Sequence, residues 1–204
     1  MKKIILTFAV CLFANLATAQ NLDELRKAGL DAYNAKNYTL AFKTWLKAAN
    51  LGHITSQSDV GTCYEFGEGV EKNIEKAMFW YQKAANHGNA IAQLRLGYLY
   101  EHGEGIEKDL FSAVKWYTKS AEQGNAEAMW RLGMTYYEED DEKCVSWVTK
   151  SADKGYSEAQ FWLGFMYENG DGVPVNESKA IYWYKKAASQ GHKDAIEHLK
   201  QISE

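Results

Sequence analysis

The chain has 204 residues, 46% apolar and 14% aromatic, with 23 basic against 27 acidic side chains for a net charge of −4. That apolar fraction can build a packed core and excludes disordered and collagen-like chains. The mild acidity argues against nucleic acid or an anionic membrane as the main partner, since phosphate binding needs a basic patch. In chain order, residues 1–19 read first as a secretory signal peptide. Lys2 and Lys3 open it, Ile4 to Leu16 forms an apolar run, and Ala17-Thr18-Ala19 supplies the small residues that place cleavage before Gln20. The run is short for a bilayer, which takes about 20 apolar residues, so no stable membrane insertion is expected. Val10 is too bulky for the lipidation pattern that Cys11 invites. The expected location is periplasmic or secreted.

The remaining sequence is periodic, and a single proline leaves its helices uninterrupted. Residues 22–52 form a divergent first unit, with Gly29 and Tyr33 in one helix and Ala41, Trp45 and Ala48-Ala49 in the next. Units over 53–88 and 89–124 follow. Each carries a glycine (Gly61, Gly97), a tyrosine (Tyr64, Tyr100), a Gly-x-Gly loop (Gly67, Gly69; Gly103, Gly105) and an Ala, Trp, Tyr, Ala stripe (Ala113, Trp116, Tyr117 and Ala121 in the second). Spacing at three and four marks amphipathic helices, and the glycines mark where they stop. The unit over 125–155 keeps Gly133, Tyr136 and Trp147 but is five residues shorter and lacks the Gly-x-Gly loop. The unit over 156–191 restores it at Gly170 and Gly172. Residues 192–204 hold a closing helix, Lys193 to Ile202, with Lys193, Glu197, His198 and Lys200 suited to a polar outer face. A two-helix unit cannot bury both faces alone, whereas stacked copies can, which predicts an all-α solenoid.

The run Ala92-Gln93-Leu94-Arg95-Leu96-Gly97-Tyr98-Leu99-Tyr100, with Gly103-Glu104-Gly105, Trp116-Tyr117 and Gly124, resembles the Sel1-like repeat family, relatives of the tetratricopeptide repeats. The resemblance implies a right-handed superhelix of antiparallel helix pairs acting as a protein-binding scaffold. It also implies which residues meet a partner. First helices of such solenoids line the concave surface, so Leu94, Tyr98, Trp130, Met134, Phe161 and Phe165 would line it and Glu101, Tyr137 and Glu168 would rim it. The alternative for Leu94, Trp130 and Phe161 is plain packing between neighbouring helices. Trp80, Trp116, Trp147 and Trp183 read as core.

No catalytic set emerges. His53, His87, His102, His192 and His198 offer no helical metal pair at a spacing of four, and read as solvated groups at loops and helix ends. No nucleophile elbow, phosphate loop or Cys-x-x-Cys is present. Some cysteine-rich members of the family are linked to β-lactam binding or hydrolysis, and those carry a cysteine pair bridging the two helices of each repeat. This chain lacks such pairs, and Cys63 and Cys144 are expected as free, mostly buried thiols. Glu138 to Glu142, five consecutive acids in the third unit, reads either as a solvated turn or as a site for a cation or basic partner. The expectation is an exported protein with no enzymatic activity, no cofactor and no metal, which binds another protein in its groove. Short exported members of the family include immunity proteins that neutralise toxic effectors, which makes a secreted toxin one candidate partner. An adaptor in envelope assembly or host interaction is the second reading, and a hydrolase of cell-wall or β-lactam substrates the third.

Overall fold

A computed structural model describes residues 20–202. The signal-peptide expectation falls on residues 1–19 and lies outside the described residues. Those described form helices joined by short turns, with no strand among them. They are α1 (20–34), α2 (Tyr38–Asn50), α3 (Ile54–Phe66), α4 (Ile74–Asn86), α5 (Ala90–His102), α6 (Leu110–Glu122), α7 (Ala126–Met134), α8 (Asp141–Asp153), α9 (Ser157–Asn169), α10 (Glu177–Ser189) and α11 (Lys193–Ile202). The fold is the all-α class of stacked helix pairs that the periodicity predicts. The described chain divides into two compact units. One runs to Ala92 and includes Glu104–Ile106. The other holds Gln93–Gly103 and everything from Glu107 onward.

The pairs α3–α4, α5–α6 and α9–α10 close the same way. The recurring glycine of the first helix sits under the ring of a residue in the second. A Cβ on Gly97 would lie 2.5 Å from the Tyr117 ring, and one on Gly61 would lie 2.6 Å from Tyr81. Only glycine permits that approach. The tyrosine hydroxyl then donates to a carboxylate on the first helix: Tyr81 to Glu65 at 2.6 Å, Tyr117 to Glu101 at 2.5 Å and Tyr184 to Glu168 at 2.5 Å. Tyr81, Tyr117 and Tyr184 are fully buried, so the bond removes the cost of an orphaned hydroxyl. The third repeat replaces both members. Val148 stands in the tyrosine's place against Gly133, and Tyr137 stands where the carboxylate would be.

The second helices start on side-chain caps. Asn73, Asp109, Asp140 and Asn176 accept from the backbone amides of Lys76, Ser112, Lys143 and Lys179. The acidic run is thereby absorbed into the third repeat's turn. Glu138 takes a left-handed φ of 77°, Asp140 is the cap, and Asp141 and Glu142 fill the first turn of α8, where the helix dipole favours negative charge. Trp80, Trp116 and Trp183 are buried as expected, whereas Trp147 is half-buried, with the Lys150 ammonium 4.0 Å from its ring centre. Cys63 and Cys144 are free and buried.

Three histidines depart from the solvated reading. His53 and His192 cap α3 and α11: each Nδ1 accepts a backbone amide, from Ser56 and Ala195, and each Nε2 faces a carboxylate, Asp23 at 3.2 Å and Glu158 at 3.0 Å. An accepting Nδ1 requires the proton on Nε2, which suits the carboxylate partner. His198 turns inward too, with its ring 5.2 Å from Tyr184 and its Nδ1 3.5 Å from Glu168.

Candidate partner-binding surface

The candidate residues fall on α5, α7 and α9 and the turn after α7, all in the second compact unit. Tyr98 on α5 is half-buried between two guanidiniums and an imidazole ring. The guanidiniums of Arg95 and Arg131 lie 5.0 and 4.9 Å from its ring centre, and His102 stacks on it at 4.1 Å. Arg131 on α7 ties the two helices together. Its Nε bonds Glu127 at 2.9 Å, and its other arm reaches Glu101 at 3.7 Å. Burial opposes the Arg131 charge, but Glu127, Tyr117 and Glu101 outweigh it and hold the group protonated more firmly than usual.

Further along, Trp130 is half-buried against Tyr156, with ring centres 5.7 Å apart, and its indole N–H is buried without an acceptor. Met134 and Tyr137 pack on the cluster around Cys144, Val148 and Leu163. Tyr137 meets Trp162 of α9 edge-on at 5.9 Å, and Phe165 meets the same indole at 5.6 Å. The Tyr137 hydroxyl donates to Asp171 at 3.4 Å, and burial followed by that carboxylate pushes its pKa up.

Three expectations need correction. Leu94 belongs to the core cluster of Tyr117, Met129 and Leu132 and is 6% exposed, so it offers a partner no surface. Phe161 is taken up by the closing helix: its ring stacks on His192 at 4.8 Å and meets Tyr184 and His198 at 5.6 and 5.5 Å. Glu101 and Glu168 are acceptors for the core hydroxyls of Tyr117 and Tyr184, so they are structural before they are rim groups. The surface that remains is Tyr98, Trp130, Met134, Tyr137 and Phe165. Arg131 and Trp162 join it, two residues before the recurring glycine in their helices. The spacing could have found them, because positions i and i+3 share a helix face as i and i+4 do.

Among the described residues no three His, Cys, Asp or Glu side chains gather where they could hold a metal ion, and no helix is long and apolar enough to cross a membrane. Burial pushes the Cys63 thiol up to about 12 and the Cys144 thiol up to about 11, which withholds the thiolate that nucleophilic chemistry needs.

The Sel1 repeat family model matches residues 32–53, 54–89, 90–125, 126–156 and 157–192. A Sel1 repeat protein from Oxalobacter formigenes has a similar structure, with TM-score 0.84 and 31% identity over 95% of this chain and 83% of that one. A protective antigen of uropathogenic Escherichia coli with an SLR fold gives TM-score 0.53 and 30% identity over 93% of this chain and 50% of that one. An immunity protein from Pseudomonas aeruginosa gives TM-score 0.60 and 24% identity over 86% and 68%, a likeness of fold. Among curated proteins, none matches the sequence. The chain belongs to the Sel1 repeat family, whose repeats mediate protein–protein interaction.

Proposed function

We propose that this chain is an exported, non-enzymatic scaffold that holds a partner protein on the first-helix face of α5, α7 and α9. The observation that carries the reading is the Arg131 cluster. A guanidinium shared by Tyr98, Trp130, Glu101 and Glu127 joins two helices of the face, and Trp, Tyr and Arg are the residue types on which interface energy concentrates. The buried, high-pKa thiols support the non-enzymatic part. The Lys2-Lys3 start, the apolar run from Ile4 to Leu16 and the small residues Ala17-Thr18-Ala19 support export to the periplasm or beyond. Within this role, neutralisation of a delivered toxin is the narrower reading. Its support is a shared fold with the immunity protein of Pseudomonas aeruginosa.

The test is affinity capture with Gln20–Glu204 as bait, beside a Tyr98→Ala, Arg131→Ala double variant checked for helicity by circular dichroism. A single protein held by the first bait and reduced at least tenfold on the second supports the face, and a secreted toxin as that protein supports the immunity role. Equal capture by both removes the face. Capture by neither returns the hydrolase reading.

A further inference from the structure

A glutamine couple fastens the joint end of two repeats. Gln93 and Gln160, buried on α5 and α9, accept at Oε1 from the side-chain amides of Gln123 and Gln190 at the ends of α6 and α10, at 2.7 and 2.8 Å. The third repeat has neither member, and Met129 and Lys154 take the two places. The α3–α4 pair keeps only the acceptor. Gln57 is 7% exposed and seated as Gln160 is: its Nε2 donates to the Ala49 carbonyl at 3.3 Å, as that of Gln160 donates to Ala152 at 3.1 Å. That bond fixes which end of the amide is oxygen. Oε1 of Gln57 is buried without a hydrogen-bond partner, a costly arrangement, and His87 stands in the donor's place.

His87 is the exposed C-cap of α4. Its Nδ1 lies 2.9 Å from the Lys83 carbonyl, the equivalent of the Lys119 carbonyl that Gln123 also reaches. A carbonyl only accepts, so Nδ1 carries the proton and the neutral ring has no second N–H to give Gln57. The imidazolium has one. Its charge would sit at a helix C-terminus, where the dipole favours a cation.

We propose that His87 is a pH-gated clasp: on taking a second proton from solvent the ring turns its Nε2–H onto Gln57 and ties α4 to α3, and on losing that proton it returns to Lys83 alone. The groups around it leave the proton to His87. On its own helix the like charge one turn back is Lys83, whose ammonium lies 4.5 and 4.9 Å from the ring centres of Phe79 and Trp80. On α3, His53 is engaged by Ser56 and Asp23, Asp59 by Arg26 and Glu65 by Tyr81, and Cys63 and Tyr64 complete the titratable set. The link to α5, Gly88 to Ala92, carries no charged side chain. A bond that only the protonated, folded chain makes adds stability as pH falls and is lost as pH rises, and histidine as a class changes charge between pH 5 and pH 8. The clasp does not depend on which partner the scaffold holds.

Thermal unfolding of Gln20–Glu204 is followed by circular dichroism at pH 8 and pH 5 in the parent and in His87→Gln, which supplies the donor at both. At pH 8 the variant is expected to melt about 2–4 °C higher, the shift that one hydrogen bond gives a chain of this size. At pH 5 the gain is expected to shrink below about 1 °C. Every other titrating group is common to the two chains and cancels. Gln57→Met, the residue that the third repeat uses there, removes the acceptor, and in that background His87→Gln is expected to have the same effect at both pH values. The Gln57 side-chain amide signals in NMR are expected to follow the titration in the parent and to stay flat in His87→Gln. No gain at pH 8, an equal gain at both pH values, a pH-dependent gain that survives Gln57→Met, or parent Gln57 signals that ignore the titration would each overturn the clasp.

Discussion

Tyr117 shows why single residues carry these repeats. Its ring roofs Gly97 and its hydroxyl donates to Glu101, which also faces Arg131. Removing the hydroxyl in Tyr117→Phe takes away a charge-assisted bond of about 1.5–3 kcal/mol, expected as a loss of that size in urea unfolding. In a double-mutant cycle with Glu101→Gln the two effects are expected to be strongly non-additive. Gly97→Ala places a methyl 2.5 Å from the same ring, and overpacking of this kind costs about 1–3 kcal/mol. The glycine and tyrosine were legible in the sequence as recurring letters, and so was their place on helices. What the letters concealed was occupancy. Helical angles give the direction in which Leu94 points but not that the core of Tyr117 and Met129 already fills that side. Glu101 and Glu168 likewise read as surface acids until their hydroxyl donors are placed opposite them.

At the scale of elements, the third repeat is the informative one. Its shortened length was plain from the spacing of the glycines. The turn chemistry was legible only in part. The acidic run was readable as a solvated turn or a binding site, and the structure turns Asp140 into the cap of α8. Hydrogen bonds from the Lys143 side chain and backbone hold the Asp140 carboxyl below its usual range. A carboxylate with a depressed folded pKa adds stability that is present above its unfolded value, near 3.9, and is lost as pH falls through the folded value. Asp140→Asn keeps a capping side chain and removes the titration. It is expected to flatten the acid limb of a melting-temperature profile measured from pH 2 to pH 6, without abolishing the helix.

For the whole molecule, buried thiols and phenols with raised pKa values govern the alkaline side of the pH response. Burial lifts Cys63 to about 12 and Cys144 to about 11, and burial followed by a carboxylate lifts Tyr117 and Tyr184. Groups raised on folding give stability that is complete below their unfolded values, near 8.5 for thiols and 10 for tyrosine, and is lost as pH rises through the folded ones. From neutrality, stability is expected to hold flat to about pH 8 and then to fall steadily, as followed by circular dichroism. Cys63→Ala should make that alkaline fall shallower. In the native protein at pH 8, neither Cys63 nor Cys144 should react with a thiol reagent within the time that urea-unfolded chain takes to label fully. The solenoid class and the repeat register were legible at this scale, since a period of one helix pair leaves no other way to bury both faces.

The reciprocal change at Tyr137 and Val148 has a practical meaning for anyone who cuts and rejoins such chains. Hydroxyl and carboxylate lie on opposite sides of the loop inside a repeat, so a splice within that loop mixes donors from one parent with acceptors from another. Joining a first helix that bears glutamate to a second helix that bears valine strands a carboxylate, and the converse strands a tyrosine hydroxyl. Splices at the joints between repeats, at Gly52, Gly88, Gly155 or Gly191, keep the couple within each repeat whole, and no neighbouring atom crowds those glycines. Chains assembled from this molecule should therefore fold when recombined at the joints and lose stability when a loop splice joins half of the third repeat to half of another.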